Sequence, residues 1–178
     1  DAKAKVLAEL GDFDGAMALR DQNVASMRAD VEAAPQAHWR RRNLMLELQS
    51  RYPEAVYLMC GLHPTHVKDH WREELEHVQR ELKTGRYHAV GEIGIDLYWD
   101  QSRLQEQREA FRIQIRWAKE KGLPIVIHCR EAFDEIFEVL EAEKGPELRG
   151  IFHCFTGTEQ QAWQAIGLGM KLGIGGVV

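Results

Sequence analysis

The chain has 178 residues, 44% of them hydrophobic and 29% charged, with a formal net charge of -5. That length and apolar content suffice for one domain with a sizeable core, and a mean hydropathy of -0.42 marks a water-facing globular protein. The acidic balance lacks the global positive field of a pure DNA-binding module, but allows an enzyme that meets phosphate through metal ions and a few local cations.

Residues 1–50 read as helical and polar. A helical turn is predicted over 6–10 and stopped by Gly11; mixed helical spacing over 14–34 is interrupted by Pro35. The spacing predicts a clearer helix over 38–51, with Trp39, Leu44 and Leu48 on one face and Arg40, Arg41 and Arg42 toward water. The arginine triplet suits a solvated face better than a phosphate contact.

From Tyr52 onward strands and helices alternate. Strands are predicted over 56–60, 88–95, 124–128, 150–155 and 170–178. Helices are predicted over 69–83, 104–121, 133–143 and 159–166, the first with Trp71, Leu75, Val78 and Leu82 along one side. The Ile and Val content of 124–128 is the pattern of a strand buried on both faces. This rhythm implies a parallel sheet with helices outside it. An open doubly wound sheet and a closed barrel share it, and both gather ligands at the C-terminal ends of their strands. The barrel better explains why residues from successive strands should converge on one site. A complete barrel takes about 250 residues. The expected fold class is therefore α/β: a (β/α)8 TIM-type barrel forming one partial domain over 1–178, incomplete at the N-terminal strand and the C-terminus, with an atypical helical region over 1–50.

Cys60, Cys129 and Cys154 sit in or just after apolar runs, without Cys-x-x-Cys spacing. They read as free thiols packed as small buried hydrophobes in a reducing compartment, and the expected location is the cytoplasm. No run approaches the ~18 apolar residues of a membrane span, and residues 1–5 lack an apolar signal core.

Three predicted strands end in residues able to bind a metal: Glu92 between Gly91 and Gly94, then His128, then His153. A single histidine at a strand end is commonly a hydrogen-bonded structural residue. Three candidates at equivalent topological positions favour a metal site. Imidazole and carboxylate donors suit zinc and other first-row ions, with manganese and magnesium favoured as oxygen ligands increase. Two such ions about 3.5–4 Å apart can clamp the attacking and leaving oxygens of a phosphoryl transfer, and the carboxylate of Glu92 is the natural bridge. Around this set, His63 before Pro64 either lines the pocket or caps a turn. Arg130 either forks onto a phosphate or pairs with an acid. Asp96 and Asp100 either orient ligands or shape their loop. Tyr98 and Trp99 either stack on a base or pack as buried loop aromatics. His66, His70, His77 and His88 are expected on the surface or on helices.

The segments Gly61-Leu-His-Pro64, Gly91-Glu-Ile-Gly-Ile-Asp96, Ile127-His-Cys-Arg130, Phe152-His-Cys-Phe-Thr-Gly157 and Gly173-Ile-Gly-Gly-Val177 resemble, in order, the motifs of TatD-family metal-dependent hydrolases. That resemblance spans about residues 52–178. It implies an amidohydrolase-like (β/α)8 barrel, a deoxyribonuclease that cuts phosphodiester bonds of DNA, often from the 3′ end, and two divalent ions such as Mg2+, Mn2+ or Zn2+. It places the bridging glutamate at Glu92, further metal ligands at His128 and His153, and substrate contacts at His63 and Arg130. The catalytic set it implies is thus Glu92, His63 and Arg130. The family's second metal position uses a His-x-His pair and a late Asp; no His-x-His precedes His63 in these residues. Rival expectations are a metal hydrolase of a non-nucleic-acid ester and a catalytically impaired barrel that serves as a scaffold or partner-binding protein.

Overall fold

A computed structural model describes residues 38–176, with side chains from Met45 onward. The chain divides into two compact units, Asp1–Leu58 and Met59–Val178. The helical segments expected over 6–34 lie outside the described residues, and the faces assigned to Trp39, Leu44 and Arg40 to Arg42 fall on residues whose side chains are not described.

In the first unit, helix α1 spans His38–Arg51. Its last turn closes through Tyr52 N–H to the Leu48 carbonyl at 2.8 Å, and Pro53 cannot continue it. Leu48 is buried, as are Val56 and Leu58 in the segment that follows.

The second unit alternates strand and helix throughout. Strand β1 (Met59–Cys60) leads through a 3-10 turn (Pro64–His66) into α2 (Trp71–Leu82). Strand β2 (Ala89–Asp96) is followed by α3 (Leu104–Glu120), β3 (Ile125–Arg130) and α4 (Phe133–Ala142). Strand β4 (Gly150–Phe152), α5 (Glu159–Gly167) and β5 (Met170–Leu172) complete the sequence. All neighbouring strands are parallel, and the sheet order is β1-β2-β3-β4-β5. A doubly wound sheet reverses direction at a switch point. This one never does, and each strand lies beside its predecessor as around a TIM-type barrel.

Hydrophobic burial fixes the strands against the helices. Ile93 and Ile95 of β2, Ile125 and Ile127 of β3, Phe111 and Ile115 of α3 and Ile136 and Leu140 of α4 are all at 0% exposure. Each such side chain contributes roughly 1.5–3 kcal/mol by leaving water. Phe133, Phe137, Phe152 and Phe155 form a second aromatic cluster, with ring centroids 5.4–6.1 Å apart. Strand β3 is fully buried at Ile125 and Ile127 only; Val126 and His128, on the other face, are half-buried. The expected burial on both faces is therefore one-sided, and that leaves the second face available to a site.

Three strands are shorter than the apolar runs suggest. Strand β1 begins at Met59 because its partner β2 begins opposite, at Ala89. Strand β4 stops at Phe152 because Cys154 adopts φ 50°, which turns the chain out of the ladder. Strand β5 ends near it: Gly173 N–H reaches the Phe152 carbonyl at 2.8 Å, and the next bond, from Phe155 N–H to the Gly173 carbonyl at 2.8 Å, already lies past the turn at Cys154. The cysteines also differ from expectation. All three are thiols outside any disulfide but only partly buried, since each lies at a strand end or the turn after it rather than mid-strand.

Candidate metal centre

The register of β2 against β3 builds the site. Ile93 pairs with Ile127, Gly94 with His128 and Asp96 with Arg130, after an irregularity between Val90 and Ile93 that includes Glu92. Such irregularities re-aim a side chain relative to a regular pleat. Gly94 lies at φ +147°, and a Cβ there would sit 2.0 Å from the His128 carbonyl oxygen. Only a residue without a side chain lets β2 come this close to β3.

At these strand ends, one ligand atom from each of His63, Glu92 and His128 lies within 4.8 Å of the other two. His63 Nε2 is 3.2 Å from His128 Nδ1, and Glu92 Oε1 is 3.3 Å from the same nitrogen. His153 reaches Glu92 Oε1 from another direction, with Nδ1 at 3.0 Å, while most of its side chain stays exposed. The structure thus gathers Glu92 and His128 with His63 most tightly, and joins His153 to them through the glutamate.

His63 does both things that its sequence position suggested. Its Nδ1 accepts from Thr65 N–H at 3.3 Å as the cap of the 3-10 turn, while its Nε2 faces His128. Burial, reinforced by the neighbouring His128, pushes its pKa down to about 4. The ring is neutral at ordinary pH, and with Nδ1 accepting it presents Nε2–H toward His128. The hydrogen bond to His128 holds Glu92 below the usual carboxylate range in spite of its burial. Burial pulls His128 down, but its hydrogen bonds to Glu92 and Asp96 outweigh that and raise it.

Asp96 is 2% exposed and accepts from His128 Nε2–H through Oδ2 at 2.8 Å. A carboxylate behind a ligating imidazole fixes its tautomer and makes it a stronger donor. Here it leaves Nδ1 of His128 turned toward Glu92 and His63. Asp100 stays in its own loop, accepting from Ser102 N–H and Oγ–H at 2.8 and 2.6 Å. Arg130 is exposed at the end of β3 and lies over the Tyr98 ring at 3.7 Å; among the described residues it forms no ion pair. His70 and His77 are exposed on or beside α2, and His88 is exposed before β2.

Sequence reasoning missed two buried glutamines of α3. The Gln114 amide accepts from Leu62 N–H at 2.6 Å and donates to the Leu62 carbonyl at 3.3 Å, which fixes the residue before His63. Gln107 does the same for Asp96, accepting at 2.8 Å and donating at 3.2 Å. The available signal was a pair of amides seven apart in a helical stripe otherwise made of Ala110, Phe111, Ile115 and Ala118.

The donor set suits a cation. With His63 Nδ1 accepting from Thr65 and His128 Nε2–H given to Asp96, the 3.2 Å contact is a hydrogen bond from His63 Nε2–H to His128 Nδ1, and Glu92 brings a carboxylate to the same point. Two imidazoles and a carboxylate fit a divalent first-row ion.

A singly wound parallel β/α sheet that gathers imidazoles and carboxylates at its strand ends is the architecture of TIM-type metal-dependent hydrolases. The family model described as TatD related DNase matches residues 12–178, and the chain belongs to that family. It is 35% identical over 133 residues to the uncharacterized metal-dependent hydrolase YabD of Bacillus subtilis, covering 75% of this chain and 52% of the relative. It is 34% identical over 133 residues to the 3′-5′ ssDNA/RNA exonuclease TatD of Rahnella, covering 74% and 50%. Among solved structures, the TatD homologue YjjV of Escherichia coli aligns with TM-score 0.68 at 34% identity, over 74% of this chain and 51% of that one. A TatD family hydrolase of Entamoeba histolytica, at 24% identity and TM-score 0.60 over 74% and 47%, shares the fold. The chain spans about half the length of the curated relatives it matches. Among the described residues, no helix is long and apolar enough to cross a membrane.

Proposed function

We propose that this chain is a divalent-metal-dependent phosphodiesterase domain acting on single-stranded DNA, removing nucleotides from the 3′ end. The observation that carries this reading is the convergence of Glu92 and His128 at the strand ends of a TatD-family domain, with His153 against Glu92 and His63 against His128. The exonuclease name of the Rahnella relative supports the substrate class.

Glu92, His128 and His153 would hold the ion, with His63 beside it at the substrate. Bound there, a divalent cation supplies Lewis acidity toward a phosphoryl oxygen and lowers the pKa of water. The chain's own residues supply orientation. Asp96 holds the His128 ring by its Nε2–H, so that Nδ1 faces inward. Glu92 Oε1 stands within hydrogen-bond distance of both His128 and His153, which ties the two imidazoles to one carboxylate. His63, neutral because of its burial, presents Nε2 to the same point. Arg130 stands at the adjoining strand end and offers its N–H edge to a phosphate, a forked contact that a guanidinium makes well.

The test is digestion of a 5′-labelled single-stranded oligonucleotide with Mn2+ or Mg2+, beside the Glu92→Ala variant. Stepwise shortening by the unaltered chain and none by the variant is the expected result. Hydrolysis of small carboxylic or phosphate esters with no shortening of DNA would overturn the substrate assignment.

A further inference from the structure

Beside the cluster, two large aromatic side chains face solvent: Tyr98 is 49% exposed and Trp99 71% exposed. Their rings meet edge to face, 4.8 Å apart at 89°. The Arg130 guanidinium lies 3.7 Å from the Tyr98 ring centroid and 5.5 Å from that of Trp99. Buried loop aromatics would need no further account, but these are open. Two exposed rings in contact beside a polar site offer a ligand an aromatic surface.

The stack is held in place from beneath. Asp96 Oδ1 accepts from the backbone N–H of Tyr98 at 3.1 Å and of Trp99 at 3.4 Å. The Leu97 N–H donates to the Arg130 carbonyl at 3.0 Å, which joins the aromatic loop to the end of β3. The other oxygen of Asp96 accepts from His128. One buried carboxylate therefore sets the position of the rings and of the candidate ligand together.

We propose that Trp99, Tyr98 and Arg130 form a seat for one unpaired base of the substrate, Trp99 offering the open aromatic face and Arg130 joining that base to its phosphate. This rests on the phosphodiesterase reading above. A guanidinium stacks through its face and donates in its plane, so lying on Tyr98 leaves its N–H edge available to phosphate. Every base has a π face, so such a seat tolerates sequence; it also requires that the base be unstacked, which selects single strands. Trp99 is thus a positioning residue that acts on where the chain of nucleotides lies.

The experiment compares binding of a fluorescent oligothymidylate with that of an abasic oligonucleotide of equal length, in EDTA so that neither is cut. Trp99→Ala is expected to weaken oligothymidylate binding about tenfold, the scale of one lost base stack, with the abasic strand held as before. Trp99→Phe, which keeps a ring, recovers most of the loss. With metal added, KM for the base-bearing strand rises while kcat changes little. Equal losses for both strands, or no loss for either, would overturn the seat. If the unaltered chain cleaves single-stranded DNA yet Trp99→Ala binds as it does, the seat alone fails. If the unaltered chain neither binds nor cleaves either strand, the nucleic-acid reading fails and the seat with it.

Discussion

Asp96 and His128 are joined by a 2.8 Å hydrogen bond from imidazole Nε2–H to carboxylate Oδ2, and this bond decides which ring nitrogen faces Glu92. The carboxylate is almost wholly buried, and the side-chain amide of Gln107 pairs with its backbone. The imidazole is therefore aimed by a support that extends through α3, not by the strand alone.

Asp96→Asn keeps the size of the side chain but removes the charge behind the ring. Metal affinity is expected to fall by about 10- to 100-fold, the usual effect of losing such a partner. Titration calorimetry with Zn2+ or Mn2+ measures it, and an unchanged affinity would mean that the tautomer of His128 is set elsewhere.

Gly94→Ala tests the close approach of β2 to β3. A Cβ placed 2.0 Å from the His128 carbonyl oxygen cannot be accommodated without moving a strand backbone, and φ +147° already disfavours any side chain. The expected loss is about 3 kcal/mol or more in urea unfolding, together with loss of metal binding. A loss below about 0.5 kcal/mol, the scale of ordinary surface changes, would contradict the register described for these strands.

Glu143, the residue that caps the C-terminal end of α4, carries its own pH dependence. Its side chain is 8% exposed, and it accepts from Arg116 Nη2–H at 2.7 Å, with Lys119 Nζ at 3.7 Å and Arg112 Nε at 3.8 Å. Burial opposes its charge, but the Arg116 hydrogen bonds and the surrounding cations outweigh it and hold the pKa low. A carboxylate whose folded pKa is depressed adds stability above its unfolded pKa, about 4.3. That stability fades as pH falls through the lower folded value. Glu143→Gln is expected to cost about 1–2 kcal/mol at neutral pH, given that Arg116 is largely exposed. The gap between the two proteins should close in acid. A gap that stays constant down to the acid range would show that the charge contributes nothing.

Much of the fold was legible because its strands are dense in Ile and Val and its helices carry regular apolar stripes. Ile93, Ile127 and Phe111 fall where that patterning put them. Alternation along the chain does not separate the open sheet from the barrel; the convergence of residues from successive strands favoured the barrel, and the strand order agrees with it. Strand lengths were overestimated wherever a ladder partner ran out, as at Phe152 before Cys154 turns away. Gln107 and Gln114 were unreadable for another reason. Apart from a bond from Gln114 to the Ala110 carbonyl one turn back, their amides pair with backbone groups more than ten residues away in sequence, which nothing local announces. The two roles of His63 were posed as alternatives, although an imidazole has two nitrogens and here each serves one of them.

The central claim is that Glu92 and His128 hold a divalent ion with neighbouring imidazoles. Elemental analysis of the purified chain after exposure to Zn2+ or Mn2+ and gel filtration tests it, beside a Glu92→Ala, His128→Ala double variant shown by circular dichroism to remain folded. At least one ion retained per chain, and its loss in the double variant, is the result predicted. Equal metal in both proteins would contradict it.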